Sequence, residues 1–518
     1  MKPLMLDEVI AALEGLPDRM APVSSVSRVV TDSRQVGPGD LFVAIRGERF
    51  DGHDFVNDAL AAGAIAAVVR NDFERVLPAG AEAAASAGGL LIRVNDPVEA
   101  MGRLALYYRR SVIAGTATVV AVTGSVGKTT TKQMIAHLLA GRWKGTASPK
   151  SFNNNIGVPL TLLSVDPSHS FVVCEVGMNA PGEIAALARL VEPEVAVITT
   201  VVECHLERLG SLDKIADEKL SLLRYLRPGG AAVVNFDSEL LRWNVERDRD
   251  YRKLKRVTFG QWADADLRLT SLEAVRSEGS GFGAQGSEGE GPEGQRDAGT
   301  EGRCGFVFKL NDRFEYRLNV PGRHNVFNAL AAIGVARWFG MDHEEIAARL
   351  ATFELPAMRL QVERVGRWTV INDAYNANPA SMAAAVDTLM DTPAAGRRVL
   401  IVGDMLELGA ASEELHRRTA ERIGGSGVDL VITVGENAKL VAQTVRAVSG
   451  GRIVTHAYAS TSSAKRRVAG LLKPEDTILV KGSRALGLEA LVEAIRERSG
   501  PVRKKPAGGR RAMRSVVK

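Results

Sequence analysis

Cysteine is scarce in this chain: Cys174, Cys204 and Cys304 are the three in 518 residues. An odd, scattered set offers no disulfide framework, and without a CxxC pair there is no metal knuckle. Cys174 sits in an apolar run and reads as a small core residue. Long hydrophobic runs are missing too. No stretch approaches the roughly 20 apolar residues that span a bilayer, and Met1-Lys2-Pro3-Leu4-Met5-Leu6-Asp7-Glu8 has no signal-peptide apolar region. The expectation is a cytoplasmic protein without a transmembrane segment. With 45% apolar and 25% charged residues, the composition is that of an ordinary soluble protein, long enough for three or four domains that each bury a core.

A one-sided charge is also absent from the body of the chain. The formal net charge is +5, but Arg503, Lys504, Lys505, Arg510, Arg511, Arg514 and Lys518 crowd the last stretch. Subtracting these seven leaves −2, so no nucleic-acid partner is expected. A solubilising disordered tail over 501–518 is the favoured reading, and contact with an anionic membrane or nucleic acid is the other. A second biased segment, about 273–305, is rich in Gly, Glu and Ser and has little to bury; it reads as a surface insertion.

Apolar runs alternate with helical spacing. Asp40 to Ile45 and Ala64 to Val69 suggest a small α/β domain over 1–113, which ends on the Tyr107-Tyr108-Arg109-Arg110 helix end. From Ala117 to Val122, then Phe171 to Val176, Val195 to Thr200 and Ala231 to Asn235, strands alternate with helices. That order implies a mostly parallel sheet in a central domain, 114–355, with ligands at the carboxyl ends of the strands. After Pro356 the alternation restarts. Runs ending at Asp404, Gly435 and Gly482 predict a Rossmann-like domain over 356–500, but no GxGxxG is present to take a dinucleotide. The fold class is therefore α/β in three domains.

Thr123-Gly124-Ser125-Val126-Gly127-Lys128-Thr129-Thr130 joins the first central strand to the helical stretch Thr131 to Leu139. Glycines let backbone N–H groups turn toward phosphate oxygens, a helix start adds partial positive charge, Lys128 can reach outer phosphates, and the Thr129 hydroxyl can meet Mg²⁺. The strict P-loop glycine, six residues before the lysine, is Val122 here, so this is a shortened relative of that loop. A plain glycine-rich turn is the alternative. Glu175 ends a buried strand, where a bare charge is costly unless a cation meets it, which makes it a candidate Mg²⁺ ligand. His205 lies beyond the next strand end. With Glu175 and Thr129 it forms a candidate metal set, against the alternative of a buried polar group capping a loop.

These segments, together with Ser151-Phe152-Asn153-Asn154-Asn155-Ile156-Gly157 and Glu175-Val176-Gly177-Met178-Asn179-Ala180-Pro181-Gly182-Glu183, resemble the ATP-dependent Mur ligases of peptidoglycan synthesis. The likeness runs from about Thr31 to Ala490. It is nearest to the branch that adds D-alanyl-D-alanine to UDP-N-acetylmuramoyl-tripeptide; the Asp-Asn-Pro-Arg signature of the diaminopimelate-adding branch is absent. The resemblance implies ATP and Mg²⁺ as cofactors, those two molecules as substrates, and a monomer. It implies catalytic roles for Lys128, His205, Lys219 and Arg359. Lys219 matches a lysine often carried as a carbamate, although helical spacing alone would turn it to solvent.

For the nucleotide, the resemblance adds Asn325, Asn328, Asp373, Tyr375 and Asn378 to the loop residues Thr123, Gly124, Ser125, Gly127, Lys128, Thr129 and Thr130. In Asn372-Asp373-Ala374-Tyr375, Asn372 replaces the family's first acid. For the muramoyl substrate and the dipeptide, it implies Ser33, Arg34, Asp51, His53, Asn154, Asn155, Asp404, Glu407, Lys481, Ser483 and Arg484. Turn or helix-capping roles are the alternative for each. The implied chemistry is phosphorylation of a carboxylate to an acyl phosphate, followed by attack of an amine. Another amide ligase of the superfamily, such as a folylpolyglutamate type, and a P-loop nucleotide switch are the competing readings.

Overall fold

The computed structural model describes residues 1–74, 89–276 and 304–498. The basic tail and most of the Gly/Glu segment lie outside the described residues. Three separate, mostly parallel sheets organise what is described.

In the first sheet Arg28–Val30, Asp40–Val43, Ala66–Arg70 and Leu90–Val94 run parallel, with Leu16–Pro17 antiparallel at the edge. Asp40–Val43 is buried along its whole length, as expected of a strand covered on both faces. The helix Pro97–Ser111 follows; Asp96 caps it by accepting from the Val98 and Glu99 amides, and proline fills its first turn. Its last turn stitches the first domain to the second. Arg109, fully buried, donates to the Val191 and Glu192 carbonyls and to Glu194, and the Tyr108 hydroxyl donates to the Val165 carbonyl at 2.6 Å. One apolar cluster continues from Leu4 through Tyr251. Each fully buried Val, Leu or Ile adds about 1.5–3 kcal/mol, so packing holds these two domains together far more than ion pairs do.

The central sheet has nine strands in the order Phe314–Leu318, Cys304–Leu310, Leu267–Arg276, Lys255–Gly260, Ala231–Asn235, Val195–Ile198, Thr118–Thr123, Phe171–Glu175 and Gly145–Ala147. It is parallel up to Leu267 and then antiparallel. The antiparallel part corrects the expected insertion limits. Glu273 to Arg276 pair with Val307 back to Cys304, so both ends of the Gly/Glu segment belong to a ladder. Composition averaged over the segment hid the alternation in which Phe306, Phe308 and Leu310 turn inward.

In the third sheet the expected strands are present as Arg398–Gly403, Leu430–Val434 and Thr477–Lys481, parallel with Trp368–Asn372 and Val454–Tyr458, and Gln361–Val365 is an antiparallel edge. Among the described residues no helix is long and apolar enough to cross a membrane.

Candidate active site

Three adjacent strands deliver their carboxyl ends to one place. Thr118–Thr123 lies between Phe171–Glu175 and Val195–Ile198, with Val122 beside Glu175 and Thr123 beside Ile198 in register. The glycine loop, Glu175 and the segment leading to His205 therefore leave the same edge of the sheet.

Val122, where the strict pattern wants glycine, is fully buried in its strand; the chain turns two residues later. Gly124 and Gly127 have φ of +148° and +86°, which side-chain-bearing residues rarely adopt. A Cβ on Gly124 would stand 1.9 Å from Thr199 Oγ1, and one on Gly127 would stand 2.3 Å from Asn328 Oδ1. The loop is tied down from behind. Ser125 Oγ donates to the Val202 carbonyl at 2.8 Å and accepts from the Val202 amide at 3.0 Å, while Thr199 Oγ1 donates to the Val126 carbonyl at 2.6 Å. Thr123 and Thr130 are buried in the same packing.

The helix Lys128–Leu139 begins at the loop's end. The Lys128 ammonium folds back onto the Gly124 carbonyl at 2.7 Å. Burial pushes its pKa down, Glu175 opposes that, and Arg359 adds to it. The Thr129 hydroxyl is 3.1 Å from Ser151 Oγ and accepts from Arg359 Nη2 at 2.9 Å. Arg359 comes from the third domain and lies over the Tyr375 ring, 4.3 Å from its centre; Arg484 approaches the same ring at 5.9 Å. Asp373 is held by Lys481 Nζ at 2.6 Å and accepts from the Leu360 amide. Thus Lys128, Thr129, Arg359, Tyr375 and Arg484 form a connected set across the domain boundary, and Asp373 and Lys481 brace the backbone beside Arg359.

Glu175 is buried, and both its oxygens are engaged: Oε1 accepts from Asn153 Nδ2 at 3.0 Å and Oε2 from Lys132 Nζ at 3.2 Å. Lys132 is not singled out by the sequence, and Asn153 appears only within the Ser151 to Gly157 likeness, without a role of its own. The available signal was a lysine one turn after Lys128, on a helix whose neighbouring Met134 and Ile135 are core residues.

His205 has a left-handed φ of +51°, and its Nδ1 lies 2.6 Å from Glu407 Oε2. The His205 ring at this distance holds the Glu407 carboxyl below the usual range. Two residues expected in different roles, metal and dipeptide, thus meet each other. Lys219 corrects the helical-spacing expectation: it is 1% exposed, and its ammonium makes no ion pair among the described residues. Burial, with repulsion from Lys128 added, brings its pKa down to about 7.

Several expected ligands have their polar atoms engaged by the fold itself. Asn325 and Asn328 are buried behind the loop, Asn325 donating to the Pro321 carbonyl and Asn328 bonded to Asn325 and Thr131. Asn378 caps the helix Pro379–Asp391. Asp404 accepts from the Glu436 and Asn437 amides, and Ser483 Oγ accepts from Leu406. In the first domain Asp51 caps the turn that carries His53, whose ring bridges Asp51 and the Arg70 amide. Arg34 pairs with Asp32 beside Ser33, and Asn154 Oδ1 accepts from the Ile156 and Gly157 amides ahead of the helix Gly157–Leu163. Asn155 is exposed. Among the described residues no hydrogen bond or ion pair joins these two groups to Lys128, whose ammonium bonds to the Gly124 and Ser125 carbonyls.

Among the described residues no three His, Cys, Asp or Glu side chains gather as a metal cage. The Thr129 hydroxyl and Glu175 carboxylate are hard oxygen donors, the kind Mg²⁺ uses alongside phosphate oxygens and water. They fit a metal that arrives on a nucleotide, and they do not form a cage in advance.

Residues 25–109 match the Mur ligase family catalytic domain, 122–336 the Mur ligase middle domain, and 358–484 the Mur ligase glutamate ligase domain. The chain is 35% identical over 477 residues, 91% of its length and 94% of the relative's, to the UDP-N-acetylmuramoyl-tripeptide–D-alanyl-D-alanine ligase of Escherichia coli strain K12. It belongs to the Mur ligase family. Its fold is like that of MurF from Acinetobacter baumannii, with a TM-score of 0.78, 28% identity, and 96% of this chain and 99% of that one covered. It is also like MurF from Thermotoga maritima in complex with ADP, with a TM-score of 0.71, 26% identity, and 91% and 97% covered.

Proposed function

We propose that this Mur ligase joins D-alanyl-D-alanine to UDP-N-acetylmuramoyl-tripeptide at the expense of ATP, in cytoplasmic peptidoglycan precursor synthesis. The observation that carries the reading is the near full-length likeness to the E. coli ligase of that name, together with a third-domain arginine that reaches the Thr129 hydroxyl at 2.9 Å. A nucleotide switch would have no use for that third domain. We place the domain limits at 113/114 and 355/356.

A carboxylate is a poor electrophile because oxide would have to leave. Phosphorylation by ATP makes an acyl phosphate, and the dipeptide amine then displaces phosphate. In this reading Lys128 leaves its backbone carbonyls for phosphate oxygens, and Arg359 faces the same oxygens from the opposite domain. Their task is positioning and electrostatics. The Tyr375 ring supports the Arg359 guanidinium through a cation–π contact. Thr129 and Glu175 would hold Mg²⁺, which when bound neutralises phosphate charge. Glu407 stands 2.6 Å from His205 Nδ1 and steadies that ring. No protein nucleophile is required. Closure of the domains excludes water from an intermediate that water would destroy.

The test is phosphate release with UDP-N-acetylmuramoyl-tripeptide and one amine at a time. D-Ala-D-Ala is expected to trigger release, with free glutamate and diaminopimelate inactive. Lys128→Ala should lower release by about 10²-fold or more, the scale of removing one group that stabilises transition-state charge. Release without any amine would favour the switch instead.

A further inference from the structure

The established chemistry of a P-loop does not account for Lys132. It stands one helical turn beyond Lys128, and its side chain is 0% exposed. A lysine so deep in a protein is unfavourable unless paired and hydrogen-bonded, and Lys132 is both. Its ammonium donates to Glu175 Oε2 at 3.2 Å and to the Lys150 carbonyl. Lys150 itself has φ +47°, a left-handed conformation that costs a non-glycine residue energy and persists where the surroundings demand it. The loop that follows carries Asn153, whose amide donates to the other oxygen of Glu175 at 3.0 Å, and Ser151, which touches Thr129. Ser148 Oγ accepts from the Glu175 backbone amide at 3.0 Å.

We infer that Lys132 and Asn153 are positioning residues that clamp Glu175, one on each carboxylate oxygen, so that the carboxylate is aimed at the metal carried by the nucleotide. Neither residue touches phosphate in this arrangement. The inference rests on the proposed nucleotide site and deepens it. Lys132 is the resident counter-cation of a buried carboxylate, its bond to the Lys150 carbonyl keeps it in place, and each clamped oxygen of Glu175 retains a second lone pair that Mg²⁺ could use. The helix that begins with the phosphate lysine thereby also sets the geometry of the metal ligand.

The experiment is calorimetric titration of ADP into the full-length protein with and without Mg²⁺, which gives a ratio of the two dissociation constants. Lys132→Met is expected to lower the Mg²⁺-dependent tightening by about 10- to 100-fold, the usual loss when a group supporting a metal ligand is removed. Metal-free ADP affinity is expected to stay within about twofold of the unsubstituted protein, since the phosphate contacts are intact. Glu175→Gln should give the same loss, and the double variant no further loss. A wild-type ratio in Lys132→Met, or equal weakening with and without Mg²⁺, overturns the inference. Where Lys132→Met shows no cooperative thermal transition, Asn153→Ala decides: a lowered ratio supports the clamp and an unchanged ratio overturns it. Failure of the unsubstituted protein to bind ADP at all would instead overturn the parent reading.

Discussion

Lys219 shows what a single residue can hide in a sequence. Lys128 and Glu175 are legible because the first closes a glycine loop where a strand gives way to a helix and the second ends an apolar strand, where a polar residue needs a reason. Lys219 sits in Leu212–Leu220, an amphipathic helix on which a lysine ordinarily faces water, and only the packing of the helix beside Lys128 buries it. The consequence is measurable. Its pKa is about 7 in the native protein against an ordinary 10.5. Below pH 7 both native and unfolded chains hold the proton, and the native state bears the full penalty of a buried cation. Between about 7 and 10.5 the unfolded chain keeps a proton that the native chain has released, so stability rises with pH across that window. Lys219→Met is therefore expected to be more stable than the unsubstituted protein in urea at pH 7, with the margin closing toward pH 10.5. The neutral amine populated near pH 7 is also a nucleophile: its nitrogen can form a bond to the carbon of CO₂, releasing a proton to solvent and leaving a carbamate. With ¹³C-labelled bicarbonate, one carbamate resonance should appear in the unsubstituted protein and be absent from Lys219→Met.

Elements were easier to find in the sequence than the roles of the polar residues at their ends. Asn, Asp and Ser begin helices for the same reason they bind ligands, namely a short side chain with an acceptor. Asn378 illustrates the ambiguity. The sequence likeness points it at the nucleotide, while the fold uses its Oδ1 to accept from the Ser381 amide at 2.8 Å and its own amide to donate to Ser381 Oγ, a reciprocal cap on Pro379–Asp391. Asn378→Ala should cost about 1 kcal/mol of stability in urea, Asn378→Asp should recover most of it, and the KM for ATP should change little in either. A KM that rises in both would return Asn378 to the nucleotide. Asp404 and Asp51 present the same two-sided reading, each accepting from nearby backbone amides. The antiparallel strands from Leu269 to Leu318 were missed for a different reason: a polar segment interrupts the hairpin, and the periodicity on either side is too short to stand out once averaged with it.

At the scale of the whole molecule, the third domain meets the second through a few spanning contacts. Arg359 reaches Thr129, Glu407 reaches His205, and Arg323 pairs with Asp391 at 2.9 Å. Between them a cavity of about 480 Å³ is bounded by Val201, Val202 and Leu212 on one side and by Ala383, Leu415 and Arg418 on the other. Gly409, at φ +58°, lets the 404–409 loop come this close, since a Cβ there would stand 2.8 Å from the Glu207 Cα. These contacts differ in kind. Glu407 is 58% exposed, and even a charged contact so open to water is worth at most about 1 kcal/mol. Glu407→Ala should therefore slow phosphate release by no more than about fivefold and shift the solution scattering profile toward a more open particle. In the proposed reaction Arg359 would face developing charge between two domains, where the same electrostatic attraction is less screened than at the open surface. Arg359→Ala should cost about 10²-fold or more in kcat, and added salt should erode the Glu407 contribution well before that of Arg359. A variant pair in which Glu407 proved the costlier loss would mean that closure, and not charge stabilisation, limits turnover.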